Sequence, residues 1–216
     1  MEHGLGQLIA SLMDLLLLGA GLESGLPPGW KVRAVGDLAP PAVAIEQVNR
    51  EPALRLSSSG QAAWFYKQLA RPQTAGRLRW EWLVDRAPAG ATLSDKDRDD
   101  SPIRVFVIFG KQGGLLRKAP RILFYSFGGA GEEGHSAPSH VSDRFHIIAR
   151  DGADAVGEWR EHEVDPQADF RRVFGREPQP ITAIGVMQDT DQTGAAAVAF
   201  LKRLEWIGAI APAPDR

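Results

Sequence analysis

The 216-residue chain is 44% apolar and 24% charged, with 23 Gly, 15 Pro, no Cys and a formal net charge of −2. The apolar content supports one full-sized core and excludes a disordered chain, while the Gly and Pro content excludes a helical bundle or coiled coil. Near-neutral charge argues against nucleic acid or an anionic membrane as a partner held by bulk electrostatics, and the lack of Cys removes disulfides, zinc knuckles and thiol chemistry.

Leu8 to Leu22 is mostly apolar, with Leu15, Leu16, Leu17 and Leu18 in an unbroken run. The run is short of the roughly 20 residues that a transmembrane helix needs, and Asp14 interrupts it. The first basic residue is Lys31, so the basic flank of a secretory signal is missing, although Gly19-Ala20-Gly21 offers a processing site. Two readings stay open: a degenerate signal peptide, giving a periplasmic or secreted protein, or an amphipathic helix on the domain edge of a cytoplasmic one. Pro27-Pro28-Gly29 ends the segment. The expected organisation is an N-terminal segment over 1–26, one domain over 27–208 and a loose tail over 209–216.

The body reads as strands punctuated by turns. Expected strands are Val43–Val48, Ala53–Ser57, Ala62–Gln68, Arg77–Val84, Ile103–Phe109, Arg121–Phe127, Arg144–Arg150, Glu158–Val164, Ile181–Gln188 and Ala196–Trp206. In Arg77–Val84, Leu78, Trp80, Trp82 and Val84 share one face while Arg77, Arg79 and Glu81 share the other, the pattern of a sheet with one buried side. Ile103–Phe109 is apolar on both faces after Arg104, as a central strand should be. One short helix is expected after Asp165, a capping residue, with Pro166 in its first turn, Phe170, Val173 and Phe174 as its apolar stripe, and Gly175 as its stop. The fold class is all-β: an antiparallel β-sandwich or jelly roll with one short helix packed against it.

Three constellations carry candidate chemistry. Asp95-Lys96-Asp97-Arg98-Asp99-Asp100 gathers carboxylates ahead of the central strand, and Asp189-Thr190-Asp191-Gln192-Thr193-Gly194 does so between two apolar strands. Hard cations such as calcium take several oxygen ligands, so Asp99, Asp100, Asp189 and Asp191 are the candidate metal ligands and calcium the candidate cofactor. The spacing is not that of an EF-hand, and the same residues also make turns that merely close loops. The third constellation is a polar sheet face. Arg79, Glu81, Arg104, Arg160 and His162 are the candidate ligand-binding residues, since fixed guanidinium and carboxylate groups recognise hydroxylated or anionic ligands; cross-strand ion pairing is the competing reading. Trp64, Phe65 and Tyr66 offer an aromatic platform or, equally, core. Gly128-Gly129-Ala130-Gly131 reads as a flexible loop rather than a phosphate-binding one. No nucleophile elbow, phosphate loop or His-Glu-x-x-His motif occurs, and no catalytic residue is assigned.

In order along the chain stand Leu26-Pro27-Pro28-Gly29-Trp30, Leu78-Arg79-Trp80-Glu81-Trp82, Asp99-Asp100-Ser101-Pro102-Ile103-Arg104, Asp169-Phe170-Arg171-Arg172-Val173-Phe174-Gly175 and the Asp189–Gly194 segment. Together they resemble the bacterial family catalogued as domain of unknown function 3047, from about Leu26 to Leu204. The resemblance implies a signal peptide just ahead of Pro-Pro-Gly-Trp. It also implies a pattern similar to jelly-roll carbohydrate-binding modules, which often hold a structural calcium and a sugar-binding face. The last-strand acid of such calcium sites is replaced here by Phe200-Leu201-Lys202-Arg203. The expected function is non-catalytic binding of a carbohydrate or cell-envelope component by an exported domain. The alternatives are a glycan-active enzyme using paired carboxylates and a structural or protein-interaction module. Oligomeric state is not legible.

Overall fold

A computed structural model of the chain describes residues 25–110 and 119–208. The Leu-rich segment before Leu22 and the tail from 209 lie outside the described residues. Among the described residues, twelve strands form two sheets. The strands are β1 Trp30–Ala34, β2 Ala42–Val48, β3 Glu51–Ser59, β4 Ala62–Gln73, β5 Gly76–Arg86, β6 Ser101–Phe109, β7 Arg121–Phe127, β8 Ser136–Ser139, β9 Ser142–Asp151, β10 Trp159–Val164, β11 Ile181–Asp189 and β12 Ala196–Gly208. One sheet has seven strands in the order β1-β4-β11-β6-β7-β9-β8; the other has five in the order β10-β5-β12-β3-β2. β6 sits in the middle of the larger sheet, as its two-sided apolarity predicts. Pairing is antiparallel except between β7 and β9, which run parallel, so the all-antiparallel expectation needs that one correction.

Alternation along each strand explains the sandwich. From β5, Leu78, Trp80, Trp82 and Val84 are all fully buried against Val105, Val107, Leu123, Tyr125, Ile184 and Val186 of the larger sheet. Packing of this kind removes large aromatic and aliphatic areas from water, at about 25 cal/mol per Å². Two strands escaped the sequence. β1 is a short edge strand with one face of Lys31 and Arg33, and β8 is a four-residue edge strand that contains Pro138, a residue tolerated only at such edges.

Helix α1, Pro166–Phe174, forms as its caps dictate. The Asp165 side chain accepts from Ala168 N at 3.0 Å, and Gly175 closes the helix in the left-handed region at φ 62°. Phe170 stacks on Phe109 at 4.5 Å and on Phe174 at 4.6 Å, and Tyr125 Oη donates to Asp169 Oδ2 at 3.0 Å. No helix among the described residues is long and apolar enough to cross a membrane.

Candidate functional site

The site is built on the outer face of the seven-stranded sheet, the side turned away from the sandwich core. Odd–even alternation on β6 and β7 sends Val105, Val107, Leu123 and Tyr125 inward and Arg104, Phe106, Ile122 and Phe124 outward. β4 adds Trp64 and Tyr66, β11 adds Met187, and β9 adds Phe145 and Ile147. Trp64 contacts Phe106, Phe124 and Phe145 edge-on at 5.1, 5.3 and 5.9 Å, which fixes its ring. Phe106 packs directly over Gly185: a Cβ there would lie 2.5 Å from Phe106 Cζ and 2.3 Å from Phe65 O. Trp64, Tyr66 and Phe145 remain half-buried, whereas Phe106 and Phe124 are buried. β1 pairs Lys31 with Tyr66 and Arg33 with Trp64, so exposed cationic side chains flank the aromatic rings on the same face.

Two loops shape one end of this face. Residues 87–100 fold down so that Leu93 joins the apolar cluster. Glu132 holds the loop by accepting from Leu93 N at 2.9 Å, Ser94 N at 3.2 Å and Gly129 N at 2.7 Å. Burial acts to raise the Glu132 carboxyl, but these hydrogen bonds outweigh it and hold it below the ordinary range. Gly128-Gly129 is therefore a packed contact rather than a flexible loop; a Cβ at Gly129 would fall 2.7 Å from Ala91 O.

At that end the two acidic segments of the sequence meet. Arg104 Nη2 donates to Asp99 Oδ1 at 2.6 Å and to Asp99 O at 2.9 Å, and Nη1 donates to Asp189 Oδ2 at 3.4 Å. Asp100, only 1% exposed, accepts from Gln192 N at 3.1 Å and Thr193 N at 2.8 Å, and from the Thr193 hydroxyl. Buried Thr190 pins the same loop by donating its hydroxyl to Gln61 O at 2.9 Å and accepting from Gln61 N at 3.1 Å. Carboxylate oxygens of Asp100, Asp189 and Asp191 lie within 4.8 Å of one another. Burial pushes Asp189 up to about 8; Arg104 opposes the shift and the Asp191 and Asp100 carboxylates add to it. Burial also raises Asp99, against the pull of Arg104.

The rest of the acidic run does not join them. Asp95 closes its own turn, accepting from Asp97 N at 3.0 Å and pairing with Arg98 at 3.0 Å, and Asp97 is exposed.

The five candidate ligand-binding residues are scattered. Arg79 and Glu81 lie on the outer face of the five-stranded sheet. There Arg79 pairs with Glu163 at 2.5 Å and Glu161 at 3.6 Å, and Glu81 pairs with Lys202 at 3.4 Å and Arg203 at 3.6 Å. Arg160 pairs with Glu158 at 2.8 Å in solvent at the entry of β10. His162 points into the core, its ring 5.0 Å from both Trp80 (tilted) and Trp82 (edge-on) and 2.8 Å from Asp151 Oδ2, which also accepts from Trp82 Nε1 at 2.6 Å. Only Arg104 lies on the aromatic face. The aromatic trio divides by parity, with Trp64 and Tyr66 outward and Phe65 in the core.

Sequence reasoning did not single out Phe106, Phe124 or Phe145. It also passed over a groove of about 290 Å³ at the far end of β6, which Arg121, Arg144 and Arg176 line with Phe109 and Phe170.

Residues 28–205 match the family model described as "Protein of unknown function (DUF3047)". The chain belongs to that family. This family member matches no curated protein. It is similar to several solved structures. One is the family 11 carbohydrate-binding module of the cellulosomal cellulase Lic26A-Cel5E of Clostridium thermocellum, at 11% identity and TM-score 0.49 over 97% of this chain and 99% of that one. A second is the K1 cleaved adhesin domain of Lys-gingipain from Porphyromonas gingivalis W83, at 12% identity and TM-score 0.45 over 94% and 99%. A third is TmCBM61 in complex with β-1,4-galactotriose, at 11% identity and TM-score 0.42 over 88% and 94%.

Proposed function

We propose that this protein is an exported, non-catalytic binding domain for a carbohydrate or related cell-envelope component, and that it binds on the outer face of the seven-stranded sheet. The observation that carries the reading is the half-buried Trp64–Tyr66–Phe145 surface on a rigid sheet, with Lys31 and Arg33 beside it. Sugar rings offer apolar C–H faces and a rim of hydroxyls. Amphipathic aromatic side chains locked by their neighbours suit the faces, and nearby cations hydrogen-bond the rim.

The glycan-hydrolase alternative has less support from the same geometry. Retaining and inverting enzymes hold their carboxyl groups about 5 Å or more apart on either side of an open cleft. Here Asp100 and Asp189 are packed together and buried, with Asp100 tied to backbone N–H groups.

A glycan array and cell-wall pull-down with the wild-type chain test the reading, in calcium and in EDTA. Binding that falls at least tenfold in Trp64→Ala and is unchanged in Arg79→Ala supports it. No wild-type binding under either condition overturns it. Export from the Leu8–Leu22 segment is tested by fractionating cells that express the full chain, with periplasmic or medium recovery expected.

A further inference from the structure

We propose that Asp100, Asp189 and Asp191 form a binding site for a hard divalent cation of the calcium class. Three carboxylates near one another are not by themselves a site, because exposed acids often cluster without one. The deciding feature is burial combined with missing donors. The Asp189 side chain is 9% exposed; Arg104 takes its Oδ2, and its Oδ1 is buried with no hydrogen-bond partner. Asp191 Oδ1 is likewise buried and unpartnered. Two ionised carboxylate oxygens can only accept, so what joins them is either a shared proton or a cation. A buried polar atom left in that condition is costly, and a shared cation relieves both oxygens at once.

The dimensions suit calcium. Its oxygens lie about 2.3–2.6 Å from the ion, so ligands on opposite sides are about 4.6–5.2 Å apart. The three aspartate oxygens lie within 4.8 Å of one another. Magnesium is usually held by one or two carboxylates and keeps several waters, and softer transition metals select nitrogen or sulfur ligands, which this cluster does not supply. Asp191 is only partly buried and leaves one side of the cluster towards solvent for the remaining oxygens and for entry.

The site is also held in shape before any ion arrives. Gln192 N and Thr193 N orient Asp100, and Thr190 fastens the loop to the β3–β4 turn. Asp99 is left out of the proposed set, because Arg104 takes its Oδ1 and the three oxygens that converge belong to the other acids. The arrangement uses the entry to β6 and the β11–β12 loop, and nothing from β12. It does not rest on the glycan reading, and either can fail alone.

The test uses the full wild-type chain stripped with EDTA and then titrated with calcium chloride by calorimetry, with thermal unfolding followed in parallel. The expected result is saturable single-site heat and a Tm higher by roughly 5–10 °C at a hundredfold excess over Kd. Asp191→Asn should weaken calcium binding at least tenfold, whereas Asp97→Asn, an exposed acid in the neighbouring loop, should leave it unchanged. Absence of wild-type heat, together with equal Tm in calcium and EDTA, overturns the proposal and leaves a proton shared by the acids as what holds them together. That comparison needs no variant to fold. Equal loss in Asp97→Asn and Asp191→Asn also overturns it, because it would mark diffuse surface attraction.

Discussion

The two outer faces of the sandwich use charge in opposite ways. On the five-stranded sheet, Arg77, Arg79, Glu161 and Glu163 pair with one another in solvent; Lys202 is the exception, 5% exposed, bridging Glu51 at 2.6 Å and Glu81 at 3.4 Å while lying 4.0 Å over the Trp159 ring. On the seven-stranded sheet the charges gather at one end and sink: Arg104, Asp99, Asp100 and Asp189 are each at most 7% exposed, next to an aromatic surface. Exposed pairs contribute little and are screened by salt, whereas buried groups depend on every partner. A strand can therefore look equally polar on paper and differ entirely in what its charges do. Paired charges on the smaller sheet leave few groups for a ligand, whereas the unpartnered carboxylate oxygens of Asp189 and Asp191 converge at one end of the larger one.

The contrast is broken most directly at Arg104. Arg104→Ala removes the cation shared by two buried carboxylates, and the expected loss is about 3–5 kcal/mol of stability by urea unfolding. A loss under about 1 kcal/mol would place Arg104 in the same class as the exposed pairs. The apolar part of that face is tested at Gly185. A Cβ would meet both Phe65 O and Phe106 Cζ, so Gly185→Ala should cost about 1–3 kcal/mol by overpacking and should loosen the Trp64 ring, read as a change in its fluorescence. A neutral Gly185→Ala would mean that Phe106 moves easily and the platform is not rigid.

Asp151 sharpens the comparison from inside the core. Burial acts to raise its carboxyl, but hydrogen bonds from His162 and Trp82 outweigh it and hold the group below its ordinary 3.8. A group lowered on folding binds fewer protons in the native state, so its contribution is present above the unfolded value and is lost as pH falls through the folded one. Stability should therefore drop as pH falls from about 5 through 3.8 and on below it, and Asp151→Asn should flatten part of that drop. An unchanged pH profile in the variant would assign the acid sensitivity elsewhere.

Much of this architecture follows from local pattern. Strand β5 declared its buried face through Leu78, Trp80, Trp82 and Val84, and α1 declared both ends through Asp165 and Gly175. The edge strands did not: β8 holds Pro138, and β1 is too short for alternation to stand out. At the site, the candidate acids were visible but their meeting was not, because Asp100 and Asp189 approach only when β6 and β11 pair. His162 shows the opposite failure. A polar residue at strand spacing was read as solvent-facing, whereas its ring fills core space because Asp151, from another strand, supplies its polar partner. Outward-facing Phe106 and Phe124 were hidden for a related reason: on strands apolar on both faces, alternation gives no contrast.

The smallest effect belongs to the five-stranded face, and its size is informative. Arg79 sits within reach of Glu161 and Glu163, and hydrogen bonding to Glu163 raises its already high value further, yet 40% of its side chain is exposed. Water and salt compete for such a pair, and holding the long side chain in place costs conformational freedom. Arg79→Ala should therefore destabilise by less than about 1 kcal/mol, with most of that difference gone in about 1 M salt, where the screening length falls to about 3 Å. Comparing the same substitution at Arg104 in the same salt isolates burial as the variable, since the Arg104 loss should persist. If the Arg79 loss instead reached several kcal/mol and resisted salt, the exposed lattice would be acting as one cooperative network, and the division of labour between the two faces would have to be given up.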